Sequence, residues 1–310
     1  MKKINVRGVN FDDVTLSEAA EKLGEHMAKG EGIVAVYTPN AEIVQLCIDK
    51  NEYYGLINSA EMIVPDGIGV IKAARILGTP LKERVPGVEL GEKMIEYCAK
   101  NGHKVYFLGG KPGVASLAAK NMTEKYPELT VCGTGDGYFK KEGEESEEVI
   151  GKIADSGAEL LFVCLGVPVQ EKWINDNKEK LSFVGVKVAM ALGGSLDVYS
   201  GTVKRAPAFF CKTGLEWFYR LLKQPSRIGR MIKLPKFLIG TYREKRKKKD
   251  KSKKWKPPKF EASVFLYYPN FTSHPAINCA RRTTSFVFTM PSPLQSIAAV
   301  FMVTSQPAIY

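Results

Sequence analysis

The sequence predicts an α/β protein with a Rossmann-like, mostly parallel sheet that carries helices on both faces. Short apolar runs typical of buried strands alternate at least five times with segments whose apolar residues recur at helical spacing. Glycine and small polar residues follow these runs, as they do at the carboxyl ends of parallel strands. With 310 residues, of which 45% are apolar and 25% charged, the chain can bury a full core.

The first elements are a short strand pair over residues 4–11 and a helix that begins at Thr15-Leu16-Ser17-Glu18. The strand over residues 33–37 ends in Thr38-Pro39-Asn40, and a helix follows. Ligands of open α/β sheets bind at the carboxyl ends of the strands, in the loops that lead to the helices. Thr38 and Asn40 are therefore candidate ligand contacts. Asn40 is equally suited to be the N-cap of the helix.

The next strand, over residues 62–64, leads into Pro65-Asp66-Gly67, and a helical pattern begins at Val70. Asp66 would then stand at the end of a strand with helix-terminal N–H groups close by. A carboxylate in this position can take a proton from a substrate hydroxyl. It can also cap the helix or shape the turn.

Arg84 precedes the turn Val85-Pro86-Gly87. A guanidinium group matches the oxygens of a phosphate two at a time, so Arg84 is a candidate diphosphate contact, although an ordinary surface arginine is the alternative. The strand over residues 105–108 enters Gly109-Gly110-Lys111-Pro112-Gly113, which is neither a GxGxxG fingerprint nor a P-loop. Gly109 and Gly110 could still let a nucleotide approach the bare backbone.

A strand over residues 129–132 precedes two further strands that complete the predicted sheet, over residues 160–165 and 186–192. Gln170 stands just after the first of these two, in the first turn of a helix, where its amide could bind a sugar or a uracil-like edge or could simply be solvated. Because parallel strands end at one edge of a sheet, the polar and glycine residues noted so far are expected to converge on one crevice.

Charged residues are distributed unevenly along the chain. Residues 1–200 carry 23 Lys/Arg against 29 Asp/Glu, a net charge of −6, whereas residues 201–259 carry 20 against 3, a net charge of +17. An acidic body with a basic extension indicates an anionic surface as partner. We expect a core over residues 1–207, a basic amphipathic helical appendage over 208–243, a polybasic segment over 244–259 and an atypical, disordered tail over 260–310.

The segment 208–243 has basic residues largely opposite an aromatic and aliphatic face, as in helices that lie in a membrane interface. Packing against the core is the alternative, and Pro225 and Pro235 are expected to divide the segment into short helices. The polybasic run would add attraction to anionic lipid. It could instead bind nucleic acid, but the core shows no motif that reads RNA or DNA.

The six cysteines are scattered without zinc spacing, so we expect reduced thiols in a cytosolic protein. No signal peptide or stretch of 18 apolar residues is found, which predicts a cytoplasmic protein that is peripheral on the inner face of the membrane. A homo-oligomer is possible on this sequence.

Eight short motifs occur in an order that resembles the WecG/TagA/CpsF family of glycosyltransferases over roughly residues 1–240. They are Thr38-Pro39-Asn40, Pro65-Asp66-Gly67, Arg84-Val85-Pro86-Gly87, Phe107-Leu108-Gly109-Gly110, Leu165-Gly166-Val167-Pro168-Val169-Gln170-Glu171, Gly193-Gly194-Ser195-Leu196-Asp197, Arg205-Ala206-Pro207 and Gly214-Leu215-Glu216-Trp217-Phe218-Tyr219-Arg220. Within the family, the TagA-like members of wall teichoic acid synthesis are the most similar.

The resemblance implies transfer of N-acetylmannosamine from its UDP donor to undecaprenyl-diphosphate-linked N-acetylglucosamine, by an inverting mechanism with no cofactor or required metal. In these terms Asp66 would be the general base. Thr38, Asn40 and Gln170 would position the donor, and Arg84 would steady the departing UDP. In the appendage, the residues that would contact the lipid diphosphate or the UDP are Arg220, Arg227 and Arg230.

Other functions remain open on the sequence alone. The donor could be the corresponding uronic acid, since no residue distinguishes the two sugars. A nucleotide-dependent oxidoreductase is disfavoured because the GxGxxG fingerprint with its acidic partner is missing. A non-catalytic binder of anionic membranes or nucleic acid would use the basic extension, and substitution of Asp66 would then change nothing.

Overall fold

The fold is described from a computed structural model, which covers residues 2–30, 32–203 and 233–254, with only the backbone for 248–254. Residues Met1–Ser252 form one compact unit. The strands are β1 (Lys3–Val6), β2 (Val9–Asp12), β3 (Val34–Tyr37), β4 (Met62–Ile63), β5 (Lys104–Gly109), β6 (Thr130–Gly135), β7 (Leu160–Cys164) and β8 (Val188–Ala191).

Eleven helices are found in the described residues. They are α1 (Leu16–Lys29), α2 (Ala41–Asp49), α3 (Glu52–Asn58), α4 (Ile68–Leu77), α5 (Gly87–Asn101), α6 (Val114–Lys125), α7 (Glu144–Ser156), α8 (Val169–Asp176), α9 (Lys178–Phe183), α10 (Ser195–Tyr199) and α11 (Lys233–Lys254). The predicted start of α1 is confirmed: Thr15 and Glu18 form a reciprocal capping box.

The central sheet has six strands in the order β4-β3-β8-β7-β5-β6, and every adjacent pair is parallel. Strands β1 and β2 form a separate antiparallel pair. The predicted fold class is therefore confirmed. Connections leave β3 and β8 toward different faces of the sheet, and those leaving β5 and β7 also diverge, which opens crevices at the carboxyl ends of these strands.

Side chains of the sheet alternate between two apolar layers. In β7, Leu161 and Val163 face the layer formed with α2, α4, α7, α8 and α9, whereas Leu160 and Phe162 face the layer formed with α1, α5, α6 and α10. All four are fully buried. Helices thus cover both faces, and this is why the inner strands β3, β7 and β8 are apolar throughout instead of alternating with polar residues.

Helix α11 packs against the first of these layers. Phe237 is fully buried, its carbonyl accepts from Arg7 Nη1 at 3.0 Å, and the guanidinium group lies 5.5 Å from the ring centroid. Arg7 Nε also pairs with Glu244 at 3.4 Å, and Lys236 pairs with Asp49 on α2 at 2.8 Å. One face of α11 is therefore attached to the core by apolar and ionic contacts together.

Pro235 does not divide this helix, contrary to the prediction. It is the third residue of α11, in the first turn, where a missing N–H costs no intrahelical hydrogen bond. The helix also runs without a break from the predicted appendage into the predicted polybasic segment. Pro225, the 207/208 boundary and the tail over 260–310 lie outside the described residues.

A partly buried charge cluster lies at the amino ends of the central strands. Glu159 pairs with Lys187 Nζ at 2.7 Å and with His103 Nδ1 at 2.9 Å. Burial is the largest single influence and acts to raise the pKa of Glu159. The hydrogen bonds and charges of Lys187 and His103 together outweigh burial, so the pKa is lowered.

The substitution Glu159→Gln is expected to lower the free energy of unfolding by about 1 kcal/mol at pH 7, because an amide forms no ion pair with Lys187. Since the folded-state pKa of Glu159 is lowered, this stabilisation is present above the pKa of the unfolded carboxyl group and is lost as the pH falls through the folded value. Urea unfolding at pH 7 and near pH 3 measures the effect.

The control is Glu147→Gln, which removes a solvent-exposed ion pair with Lys180. That variant should unfold like the wild type, because exposed pairs contribute little. Equal stability of wild type and Glu159→Gln at pH 7 would show that the cluster adds nothing to the fold.

Candidate functional site

The Asp66 loop joins β4 to α4 and is hydrogen-bonded to the segment that precedes α5. Asp66 Oδ1 accepts from the N–H of Gly87 at 3.0 Å, and the N–H of Val85 donates to the carbonyl of Pro65 at 2.9 Å. Gly87 is the first residue of α5, where N–H groups lack intrahelical acceptors. The carboxylate is thus oriented by a helix N-terminus while remaining only half-buried.

Asp66 does not cap the helix that follows it. The N-cap of α4 is Gly67, and no side chain caps this helix. One carboxylate oxygen instead accepts a hydrogen bond from the first residue of α5, a helix that begins 21 residues after Asp66. A chain that packs these two loops together also brings the segment containing Arg84 next to Asp66.

Buried Asp12 supports the strand that leads to this loop. Its Oδ2 accepts from the N–H of Ile63 on β4 at 2.9 Å, and Lys3 Nζ lies 3.8 Å away. Desolvation is the main influence on the pKa of Asp12 and raises it. Strand β4 is at an edge of the sheet, so this carboxylate takes a backbone donor that no further strand would satisfy.

Thr38 and Asn40 follow β3, beside the Asp66 loop. The Thr38 hydroxyl donates to the carbonyl of Ala191 at the end of β8, 3.0 Å away, and a Cβ placed on Gly87 would lie 3.0 Å from Thr38 Oγ1. Asn40 Oδ1 accepts the N–H groups of two residues in the first turn of α2, so Asn40 is its N-cap. The Thr38 oxygen and the Asn40 Nδ2 can still accept and donate, respectively.

Gly109 and Gly110 make close contacts within the protein. A Cβ at Gly109, where φ is +127°, would lie 2.3 Å from the carbonyl oxygen of Cys164. The N–H of Gly110 donates to that same oxygen at 3.2 Å, and its carbonyl accepts from Gly137 at 2.9 Å. The packing of β5 against β7 therefore accounts for the glycine at position 109, and contact with a nucleotide stays a prediction.

Gln170 is 2% exposed and joins the loops after two strands. Its Oε1 accepts from the N–H of Gly193, after β8, at 3.0 Å and from the N–H of Gly166, after β7, at 3.3 Å. Its Nε2 donates to Glu171 Oε1 at 2.9 Å. The predicted solvated alternative is wrong, since the amide is internal and holds two strand-end loops together.

Glu171 was not singled out on the sequence. The side chain is 1% exposed, and its Oε2 has no hydrogen-bond partner. Burial raises the pKa of Glu171 to about 7, while the hydrogen bond from Gln170 acts in the opposite direction. The residues around Glu171 predicted the start of a helix. Nothing in their pattern indicated that the polar side chains of its first turn would be buried.

The site residues form a continuous row along the carboxyl ends of the strands. Asp66 follows β4, Thr38 follows β3, Gly193 and Gly166 follow β8 and β7, and Gly109 is the last residue of β5. Thr38 and Gly109 are separated by three strand spacings, about 14 Å. A nucleoside diphosphate sugar can span this distance, and the row offers a carboxylate at one end.

Arg84 lies on the segment paired with the Asp66 loop and is half-buried. The three arginines predicted in the appendage, Arg220, Arg227 and Arg230, lie outside the described residues. Within the described ranges, no three His, Cys, Asp or Glu side chains form a group that could hold a metal ion.

A sequence profile described as the glycosyl transferase WecG/TagA/CpsF family matches residues 4–251. The chain belongs to this family of glycosyltransferases. The resemblance inferred from the eight motifs is thereby confirmed, and with it the prediction that the protein is an enzyme that transfers a sugar.

Curated relatives of this glycosyltransferase carry a more specific name. A Staphylococcus aureus protein is 35% identical over 246 residues, covering 79% of this chain and 94% of the relative, and a Bacillus spizizenii protein is 36% identical over 211 residues, covering 68% and 79%. Both are named N-acetylglucosaminyldiphosphoundecaprenol N-acetyl-beta-D-mannosaminyltransferase.

The glycosyltransferase also has an exposed aromatic side chain after β6, which was not among the predicted site residues. Tyr138 follows β6 and is 70% exposed, while its N–H donates to Asp136 Oδ1 at 2.8 Å. Gly137 beside it is tied to Gly110. Its position in the glycine-rich turn that begins at Gly133 was the only indication in the sequence, and sequence alone does not separate an exposed aromatic residue from one that packs inward.

The substitution Gly109→Ala is expected to destabilise the glycosyltransferase by several kcal/mol, because the new methyl group overlaps the Cys164 carbonyl. Gly113→Ala is the matched control, since Gly113 also has a positive φ of +84° but nothing within 4 Å of the added Cβ. The control should lose only about 1 kcal/mol, the cost of the backbone conformation. Urea unfolding compares them, and equal losses would contradict the packing explanation.

Proposed function

We propose that this glycosyltransferase transfers N-acetylmannosamine from UDP-N-acetylmannosamine to undecaprenyl-diphosphate-linked N-acetylglucosamine. The observation that carries the proposal is the fixed Asp66 carboxylate at the carboxyl edge of the sheet, in a chain whose relatives are named for this acceptor and sugar. The row of strand-end loops beside it is long enough for a nucleotide sugar.

In this proposal Asp66 is the general base. The carboxylate accepts the proton of the acceptor hydroxyl as the hydroxyl oxygen bonds to the anomeric carbon of the donor sugar, and UDP leaves from the opposite face with the electron pair of the broken bond. A single displacement of this kind inverts the anomeric configuration. The N–H of Gly87 fixes one carboxylate oxygen, which lowers the cost of orienting the base.

The departing diphosphate needs positive charge. Arg84 belongs to the segment paired with the Asp66 loop, and a guanidinium group binds phosphate oxygens in pairs. Arg220, Arg227 and Arg230 would add charge from the appendage, while Thr38, Asn40 and Gln170 would shape the donor pocket. With arginines in this role the proposal needs no metal ion or cofactor.

Substitution of Asp66 by Asn is expected to reduce turnover by about 100-fold or more, since an amide cannot accept the hydroxyl proton, with little change in donor affinity. UDP release in the presence of a short-chain lipid-diphosphate acceptor measures it. The same assay is run with UDP-N-acetylmannosamine and with its uronic acid, and with EDTA.

The control for this assay is Glu159→Gln, which makes the same carboxylate-to-amide change at the opposite end of the sheet and should retain wild-type turnover. If Asp66→Asn is as active as this control, Asp66 is not the base. Release of UDP only with the uronic acid donor would replace the proposed sugar, and loss of activity in EDTA would replace arginine with a metal ion at the diphosphate.

We further propose that α11 brings the enzyme to the anionic inner surface of the membrane, where a polyprenyl acceptor resides. Ile239 and Tyr242 are 53% and 57% exposed on the face of α11 opposite the buried Phe237. After them the sequence is dominated by lysine and arginine. Apolar side chains beside basic ones are suited to a membrane interface.

None of the helices in the described ranges has the length and apolar composition needed to cross a bilayer. The absence of nucleic acid partners and the possible homo-oligomer stay predictions.

The double substitution Ile239→Ser and Tyr242→Ser is expected to weaken binding to vesicles that contain anionic lipid by about tenfold or more, because two apolar side chains no longer enter the interface. Phe183→Ser is the control, since Phe183 is 93% exposed but lies on α9. Vesicle sedimentation measures binding. Equal sedimentation of the double variant and the control would show that Ile239 and Tyr242 do not enter the membrane interface.

A further inference from the structure

The centre of the crevice depends on one side-chain amide. Gln170 Oε1 accepts two backbone N–H groups, those of Gly166 and Gly193, which belong to loops after neighbouring strands. Both loops lie between Thr38 and Gly109, in the middle of the row. A rotation of this amide would release both loops at once.

The amide is itself held by a carboxylate. Gln170 Nε2 donates to Glu171 Oε1 at 2.9 Å, and both side chains are almost fully buried. Glu171 is fixed in turn through its backbone, since its carbonyl accepts from the Tyr37 hydroxyl on β3 at 2.9 Å. The other carboxylate oxygen, Oε2, is buried without a partner, which is a costly arrangement for a group with only a packing role.

We propose that Glu171 is a positioning residue of the donor crevice, whose carboxylate holds the Gln170 amide against the N–H groups of Gly166 and Gly193. An ionised carboxylate can only accept hydrogen bonds, so it can bind only the NH₂ group of the Gln170 amide and thereby fixes the amide's orientation. Its charge also strengthens the bond and polarises the amide, which makes Oε1 a better acceptor for the two glycines.

The charge of Glu171 changes near neutral pH. Burial raises its pKa to about 7, against the hydrogen bond from Gln170. The nearby titratable groups are Tyr37 on β3 and Cys47 on α2; burial, with a smaller contribution from the charge of Glu171, raises the pKa of both, that of Cys47 to about 11. Since both stay protonated at pH 7, Glu171 is the group of this cluster that ionises there.

The direction of the effect follows from this ionisation. Below pH 7 the carboxyl group is neutral and its bond to Gln170 is weaker, so the two loops are held less firmly. Above pH 7 the carboxylate holds them. The inference rests on the proposed function in that these loops would form the donor crevice, and UDP should therefore bind more tightly to the ionised form.

A nuclear magnetic resonance titration tests the positioning role without any ligand. Protein labelled with ¹³C′-leucine and ¹⁵N-glycine gives signals only from Leu-Gly pairs, and the sequence has six, whose glycines are Gly24, Gly78, Gly91, Gly109, Gly166 and Gly193. In the wild type the amides of Gly166 and Gly193 should shift with a midpoint near pH 7. Those of Gly24 and Gly78 should not.

The variant Glu171→Gln keeps the shape of the side chain and removes its ionisation, so the two glycine amides should no longer titrate near pH 7. Because it also removes a buried charge, the variant is expected to fold. An absence of titration at Gly166 and Gly193 in the wild type, or its persistence in the variant, would overturn the proposal.

Calorimetric binding of UDP tests the consequence. UDP phosphate itself ionises in this pH range, so the measured quantity is the ratio of the dissociation constants of Glu171→Gln and wild type. The ratio should be near one at pH 6 and rise to about fivefold or more at pH 8. Glu159→Gln, a carboxylate away from the crevice, should give a ratio of one at both values.

A ratio of one for Glu171→Gln at pH 8, with the glycine titration present, would show that the amide bond has no effect on donor binding and would overturn the positioning role. Failure of the wild type to bind UDP at either pH would instead contradict the proposed donor. The glycine titration would then still decide whether Glu171 orients Gln170.

Discussion

The N–H of Gly87 donates to the Asp66 carboxylate, and this bond joins the two chain segments that carry the proposed base and Arg84. A second bond, from Val85 to Pro65, runs beside it. One oxygen of the carboxylate is therefore held by a backbone donor. Because α5 begins at Gly87, the helix that buries its apolar face in the core also sets the position of the proposed base.

Buried polar groups extend the same arrangement along the sheet. Asp12 satisfies a backbone donor of edge strand β4, and Gln170 satisfies donors after β7 and β8. Each of these side chains costs desolvation energy that an apolar residue would avoid. What they provide is a fixed relation between the strands and loops that they join, which is the property a preorganised crevice requires.

Much of the fold could be predicted from the sequence because most strands of the central sheet are apolar runs followed by glycine or small polar residues. The Thr15 capping box and the Asn40 cap follow from local side-chain chemistry, and both are found. The partner of Asp66 could not be predicted, since it depends on packing with a segment about twenty residues away.

The same limit applies elsewhere. The glycine at position 109 indicated a close backbone approach, but only the sheet order shows that the approaching group is Cys164. The inward direction of Gln170 and Glu171 depends on how α8 lies on the sheet. The prediction that Pro235 divides the helix was wrong, because a proline breaks a helix only beyond its first turn and no capping residue in the sequence marks where α11 begins.

We propose that side chains distant in sequence form one donor crevice at the carboxyl ends of the strands, with Asp66 at its end. The most direct measurement is a crystal structure with bound UDP. We expect the nucleotide along the row from Thr38 to Gly109, with its diphosphate toward Arg84 and Asp66. UDP bound at the amino ends of the strands, or turned with its base toward Asp66, would contradict it.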